Sequence, residues 1–114
     1  MALPNEKFEE IKSKIQKFVD KEMVPNEQEF NVNHKFADHL SFLEEKRNLV
    51  RKMGLFTPQI PKEHGGLGLS LYQLGQIYEI LGKTFYGLYV FNCQAPDAGN
   101  MEILIEHGTD YQKE

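Results

Sequence analysis

The residues best suited to bind a ligand are three glycines that stand close together before a helical pattern. Gly65, Gly66 and Gly68 lie in the stretch IPKEHGGLGLS, residues 60–70. A glycine-rich turn that opens a helix can cradle phosphate, because backbone N–H groups and the helix N-terminus attract an anion. This turn lacks the Lys-Ser/Thr pair of a P-loop and the spacing of a dinucleotide-binding motif, and no strand pattern precedes it. The pattern therefore favours a tight connector over a phosphate site.

Histidine, cysteine and aspartate show no pattern typical of a metal site or a catalytic site. The histidines, at positions 34, 39, 64 and 107, are never three or four residues apart, so no helix face would present a pair of them. Cys93 is the single cysteine, which excludes a disulfide within the chain, and its apolar surroundings favour a buried thiol over a nucleophile. Asp97 follows a proline and is typical of a helix start. We predict no catalytic residue, cofactor-binding residue or metal ligand here.

An aromatic cluster leaves two interpretations open. Phe85, Tyr86, Tyr89 and Phe91 lie in a segment, Phe85 to Cys93, that is apolar almost all round. Such a segment is typically buried in a core. The same rings could instead wall a pocket for an apolar ligand.

Helical spacing of apolar residues defines the elements that must position these side chains. Capping boxes open two of them, at Ser70 with Gln73 and at Thr109 with Gln112. Residues 26–33 are polar and predict a loop, and no convincing strand pattern of period two appears. The sequence thus predicts an all-α fold, an orthogonal or up-down bundle of five to six helices. The predicted segments are Asn5 to Met23 with Asn5 as N-cap and Pro25 as stop, Phe36 to Met53 ended by Gly54, Ser70 to Leu81 ended by Gly82, Phe85 to Cys93, Gly99 to Glu106, and a start at Thr109. The predicted apolar faces include Phe36, Leu40, Leu43, Val50 and Met53 in the second helix and Leu71, Leu74, Ile77, Tyr78 and Leu81 in the third.

Composition narrows the class of protein. The chain has 114 residues, 40% of them apolar and 26% charged, and a net charge of −4. This charge argues against nucleic acid and anionic membranes as main partners, and no apolar run has membrane-spanning length. The acidic start resembles neither a signal peptide nor a transit peptide, so we expect a cytoplasmic location. Because the last capping box stands so close to the final residue, we expect a piece of a longer protein.

Four stretches together resemble one enzyme family. MGLFTPQIPKEHGGLGLS (53–70), LGQIYEILGKTFYG (74–87) and HGTDYQKE (107–114) resemble, in order and separation, the N-terminal helical domain of acyl-CoA dehydrogenases. VFNCQAPDAGNMEIL (90–104) is similar to the branch that includes family members ten and eleven. The resemblance covers essentially the whole of residues 1–114.

The resemblance implies FAD-dependent α,β-dehydrogenation of an acyl-CoA thioester. In the family a glutamate base takes the α-proton, flavin N5 takes the β-hydride, and electrons pass to an electron-transfer flavoprotein. The family enzyme adds a middle β-domain and a C-terminal helical domain, which supply most flavin contacts and the base and which we expect to be absent from this chain. We therefore expect the chain alone to be non-catalytic and not to bind FAD, and the parent enzyme to be a homo-oligomer.

The resemblance also implies substrate-lining residues. The family helix that matches residues 88–99 closes the blind end of the acyl tunnel, and the positions matching Phe91, Ala95 and Gly99 face the fatty chain. Residues four apart share one face of a helix. Ala95 and Gly99 are small, which implies a deep tunnel and a long or branched acyl group.

Two alternatives stay open. A stand-alone or truncated helical interaction module without catalysis would bind a partner, or itself, through exposed apolar residues such as the cluster from Phe85 to Phe91. A small acyl-binding bundle is less favoured, because the sequence lacks a Lys/Arg cluster for the phosphates of coenzyme A.

Overall fold

The all-α prediction is confirmed. The structure, a computed structural model, describes residues 3–27 and 35–114. Within these ranges there is no strand, and every helix is too short or too polar to cross a lipid bilayer. The α-helices are α1 (Asn5–Phe18), α2 (Leu40–Lys52), α3 (Leu71–Leu81), α4 (Gly87–Val90), α5 (Asp97–His107) and α6 (Asp110–Lys113). A π-helical turn (Val19–Met23) and short 3-10 helices (Val24–Asn26, Phe36–His39, Lys62–His64) complete them.

Helix α1 begins without the predicted cap. Pro4 holds the N-cap position and Asn5 is the first helical residue, so the assignment of Asn5 as N-cap is wrong. The Pro4 carbonyl accepts the first helical bond, from Phe8 N at 3.0 Å, and the fixed φ of proline already directs the chain into the helix. The predicted stop is confirmed, because the π-helical turn gives way to the 3-10 helix that contains Pro25. Most of the predicted loop 26–33 lies outside the described residues.

Helix α2 is shorter than predicted, because its first turn is the 3-10 helix Phe36–His39. Leu43 and Val50 are buried as expected, but Phe36, Leu40 and Met53 are each more than 40% exposed. The Phe36 ring, although partly exposed, packs edge-on against Tyr89, with 5.2 Å between centroids. Gly54 follows the helix with φ +74°, the left-handed conformation that ends many helices.

The capping box of α3 is confirmed. Ser70 Oγ accepts from Gln73 N at 3.2 Å, and Gln73 Oε1 accepts from Ser70 N at 3.1 Å. The Gln73 amide also donates to the Leu3 carbonyl, which ties the N-terminal segment to this helix. Ile77 is buried as predicted. Leu71 is 86% exposed, so the prediction that Leu71 belongs to the buried face is wrong. Leu71 is the first residue of α3, and the buried residues of this helix, Gln73, Ile77, Ile80 and Leu81, come after it.

The helix expected over residues 88–99 is interrupted. Helix α4 ends at Val90, Asn92 adopts φ +54°, and α5 starts only at Asp97. Asparagine tolerates the left-handed conformation, and Pro96 lacks the N–H that a continuous helix would need there. The expectation that three lining positions share one helical face is therefore wrong. Helix α5 begins two residues before the predicted Gly99 and carries no buried residue.

The core joins α1, α2, α3 and the segment around α4. A partly buried ion pair supports it, because Lys46 Nζ of α2 lies 2.6 Å from Glu22 Oε2 at the end of the first helical segment. The buried apolar side chains that form this core are Phe8, Ile15, Phe18, Val19, Met23, Leu43, Val50, Leu55, Ile77, Ile80, Leu81, Val90, Phe91 and Cys93.

Candidate functional site

The glycine turn uses its N–H groups internally. Gly65 N donates to the Lys62 carbonyl, Gly66 N to the Pro61 carbonyl and Gly68 N to the Ile60 carbonyl, at 3.1 to 3.3 Å. Gly65 and Gly68 have positive φ, at +91° and +66°. Since these donors point into the turn, the geometry supports a connector that orients α3 and gives no support to a phosphate cradle.

The three predicted lining residues lie in different environments. Phe91 is fully buried, and its ring packs edge-on against Phe18 with 5.5 Å between centroids. Ala95, two residues before α5, and Gly99, in its first turn, are exposed, and a Cβ added at Gly99 would meet no atom within 4 Å. Of these three residues, Ala95 and Gly99 therefore present exposed surface, four residues apart in the chain, and Phe91 does not.

A cleft of about 200 Å³ separates α5 from the loop that follows α2. Met101, Leu104 and Ile105 supply the wall from α5, and their spacing of three and four residues is the helical signal that could have identified them. The predicted lining residues all precede Met101 in the chain and include none of these three. The other lining residues are Thr57, Ile60, His64 and Lys113.

The loop after α2 holds the turn that precedes α5. We call residues 55–60 the strap and residues 91–96 the turn. Thr57 N of the strap donates to the Phe91 carbonyl at 2.9 Å, and Gln59 Nε2 donates to the Asn92 carbonyl at 3.1 Å. Arg47 of α2 donates from Nη1 to the Tyr89 carbonyl at 3.0 Å. The main chain entering the turn is thus fixed from outside by three donors.

The lining of the cleft beside the glycine turn does not fit a flavin dinucleotide. A cleft of about 510 Å³ lies beside the glycine turn, and its lining places one lysine, Lys62, next to one glutamate, Glu63. A flavin dinucleotide carries a diphosphate, which calls for convergent N–H or basic groups. The nearby N–H groups of the turn are already bonded. Among residues 3–27 and 35–114, no group of three or more His, Cys, Asp or Glu side chains could hold a metal ion. His34 lies outside these ranges.

Burial governs the chemistry of Cys93. Its thiol donates to the Leu88 carbonyl at 3.6 Å, and burial raises its pKa from 9.0 to about 12. Burial also raises the pKa of Tyr78 to about 12, with smaller contributions from Cys93 and Glu102. A thiol held protonated is a poor nucleophile.

We expect Cys93 to react with iodoacetamide at pH 8 at least about tenfold more slowly in the folded protein than in urea. The unfolded thiol ionises near its usual pKa, whereas the folded thiol stays protonated. Below pH 9 the Cys93 thiol therefore makes its full contribution to the free energy of unfolding. This contribution is lost as the pH rises from 9 towards 12, because the unfolded thiol ionises there before the folded one. Mass spectrometry of the alkylated chain measures the rate. Equal rates with and without urea would contradict the buried position.

Comparisons with known proteins agree with this architecture. The family profile described as "Acyl-CoA dehydrogenase, N-terminal domain" matches residues 5–114. Acyl-CoA dehydrogenase family member 10 of Mus musculus is 33% identical over 104 residues, which are 84% of this chain and 10% of that protein. Family member 11 of Rattus norvegicus is 32% identical over 113 residues, covering 93% of this chain and 14% of that protein.

A solved structure with a similar fold points to the same family. A Mycobacterium abscessus structure assigned as an acyl-CoA dehydrogenase superposes with a TM-score of 0.79 at 28% identity, over 97% of this chain and 30% of that one. The chain thus spans a small part of the length of its relatives. A match that covers residues 5–114, an all-α fold and this superposition lead to one conclusion: the chain belongs to the acyl-CoA dehydrogenase family and corresponds to its N-terminal domain.

Proposed function

We propose that this chain is the N-terminal helical part of an FAD-dependent acyl-CoA dehydrogenase and forms the blind end of its acyl pocket. The observation that carries the proposal is the match to the family's N-terminal domain over residues 5–114. FAD, bound elsewhere in the parent enzyme, would supply the acceptor for the β-hydride. We also propose that the parent enzyme passes its electrons to an electron-transfer flavoprotein and that it forms a homo-oligomer.

The part played by this chain is to enclose the apolar end of the substrate. Helix α5 carries no buried side chain, and its Ile103 and Leu104 are 61% and 42% exposed. An apolar helix surface of this kind favours contact with other apolar groups, here an acyl chain and the remaining parts of the enzyme. Small Ala95 and Gly99 leave room at the start of α5, which favours a long or branched acyl group. Phe91 would support this wall from the core side.

The decisive experiment is to purify the protein from its source cells and measure its mass and visible spectrum. A product much longer than 114 residues, with flavin absorbance that bleaches on addition of an acyl-CoA, is the expected result. A colourless product that binds neither FAD nor acyl-CoA would overturn the proposal.

Replacing Ala95 by glutamate in the flavin-containing enzyme is expected to move its preference to shorter acyl groups. A larger, charged side chain fills the proposed end of the pocket, and we expect kcat/KM for the longest substrates to fall at least about tenfold. Kinetics over a series of saturated acyl-CoAs measures the change. The matched control is Ala37→Glu, since Ala37 is exposed in the 3-10 helix before α2. An unchanged preference in Ala95→Glu would contradict the lining role.

A second candidate is an interaction module without catalysis. It is favoured by large apolar side chains that stay exposed, among them Phe85 at 70%, Leu71 at 86% and Tyr72 at 80%. This candidate predicts that the chain associates with itself at high concentration, which sedimentation velocity would detect. A clean monomer would count against it.

A further inference from the structure

Carbonyl groups at the end of α4 and just after it accept hydrogen bonds from other elements, and Tyr89 O also accepts one from Asn92 N. The last carbonyls of a helix have no partner within it. Here Tyr89 O accepts from Arg47, Phe91 O from Thr57 N and Asn92 O from Gln59, at 2.9 to 3.1 Å. Three contacts from two separate elements therefore fix the start of the turn.

The donors are themselves held in place. The Arg47 guanidinium lies 4.5 Å from the ring centroid of Tyr89 and 5.1 Å from that of Phe56, and its side chain is only 12% exposed. Stacking between two aromatic rings restricts a guanidinium strongly.

The strap also stores backbone strain. Thr57 has φ +52°, a conformation that a β-branched residue rarely adopts. Such a conformation persists only where the surroundings hold it. The bonds that hold it are Thr57 N to the Phe91 carbonyl and Thr57 Oγ1 to the Phe56 carbonyl.

Helix α5 depends on this attachment. It buries no side chain of its own, and the cleft of about 200 Å³ separates it from the strap. The turn that carries Ala95 is therefore the stretch through which the bundle sets the position of the start of α5.

We propose that Gln59 and Arg47 are positioning residues that set which acyl-chain lengths the enzyme accepts. They act by holding the 91–96 turn, and through it Ala95 and Gly99, at a fixed distance from the bundle. The inference rests on the proposed function, since it concerns the same pocket.

The test uses the flavin-containing enzyme with Gln59→Met, which keeps the side-chain length and removes the donor to Asn92 O. The loss of one hydrogen bond should reduce discrimination between the best substrate and one two carbons longer by about fivefold in kcat/KM. The matched control is Gln76→Met, because Gln76 on α3 bonds Lys12 Nζ at 2.9 Å, away from the turn. Arg47→Met should act as Gln59→Met does, and Arg47→Lys, which keeps a donor, should restore part of the discrimination.

A second readout does not depend on activity. Amide hydrogen exchange over residues 97–107 should be faster in Gln59→Met than in wild type, and unchanged in Gln76→Met. Unaltered exchange in Gln59→Met, or an unaltered chain-length profile in an active enzyme, would overturn the positioning role. If exchange rises as expected but the wild-type protein oxidises no acyl-CoA, the positioning of α5 stands and the proposed function fails.

Discussion

Replacing Gly66 by alanine is expected to destabilise the domain by about 3 kcal/mol or more, at the upper end of single substitutions. A Cβ at this position would lie 1.8 Å from the Ile60 carbonyl oxygen and 2.4 Å from its carbonyl carbon. These are backbone atoms of a buried residue between Pro58 and Pro61, and two hydrogen bonds hold the same peptide segment. The strap and the glycine turn would have to separate, and Ile60 would lose its burial. Urea unfolding followed by circular dichroism measures the change.

Gly75→Ala provides the matched control, with an effect of opposite sign. Gly75 lies within α3, and a Cβ there meets no atom within 4 Å. Alanine at an unstrained helical position should stabilise the domain by about 0.5–1 kcal/mol, since glycine loses more backbone entropy on folding. A Gly66→Ala protein that unfolds at the wild-type urea concentration would contradict the close approach of the two backbones.

Local signals predicted the helices that local chemistry defines. The boxes at Ser70 and Thr109 involve only residues three apart, and both are formed in the structure. The end of α2 at Gly54 and the stop at Pro25 follow from the conformations that these residues adopt alone. Each of these predictions needed no knowledge of the rest of the fold.

Features that depend on distant residues could not be predicted in the same way. The pair Lys46–Glu22 joins residues 24 apart in sequence, and the bond from Arg47 to Tyr89 spans 42. The break between α4 and α5 includes a left-handed Asn92, whose own carbonyl accepts a hydrogen bond from Gln59. The apolar pattern separated residues 85–93 from residues 99–106, whereas the continuous helix over 88–99 came from the resemblance, which does not record which carbonyls a separate loop of this chain binds.

The predicted lining residues do not share one environment in the structure, and the reason is again a contact between distant residues. Phe91, Ala95 and Gly99 came from a resemblance that assumed one continuous helix. The interruption leaves Ala95 and Gly99 on the surface and Phe91 in the core. Whether they contact an acyl chain stays a prediction that the kinetic tests address.

Phe91→Ala is expected to destabilise the domain by about 3–5 kcal/mol, because it removes a fully buried ring and leaves a cavity. The ring is 0% exposed and packs edge-on on Phe18, 5.5 Å away. Phe85→Ala is the matched control, since a ring that is 70% exposed should cost about 0.5 kcal/mol or less. Thermal and urea unfolding of both variants measure the difference.

A further variant, Phe91→Leu, distinguishes two roles for this ring. If its ring only supports the wall from within, Phe91→Leu should keep most of the stability and leave the chain-length preference unchanged, because leucine fills much of the same core volume. If the ring itself contacts the acyl chain in the assembled enzyme, Phe91→Leu should extend the preferred chain length while the free energy of unfolding changes little. Burial against Phe18 favours the first result. A shifted chain-length profile in Phe91→Leu would place this ring in the pocket and would require α4 to open towards the substrate.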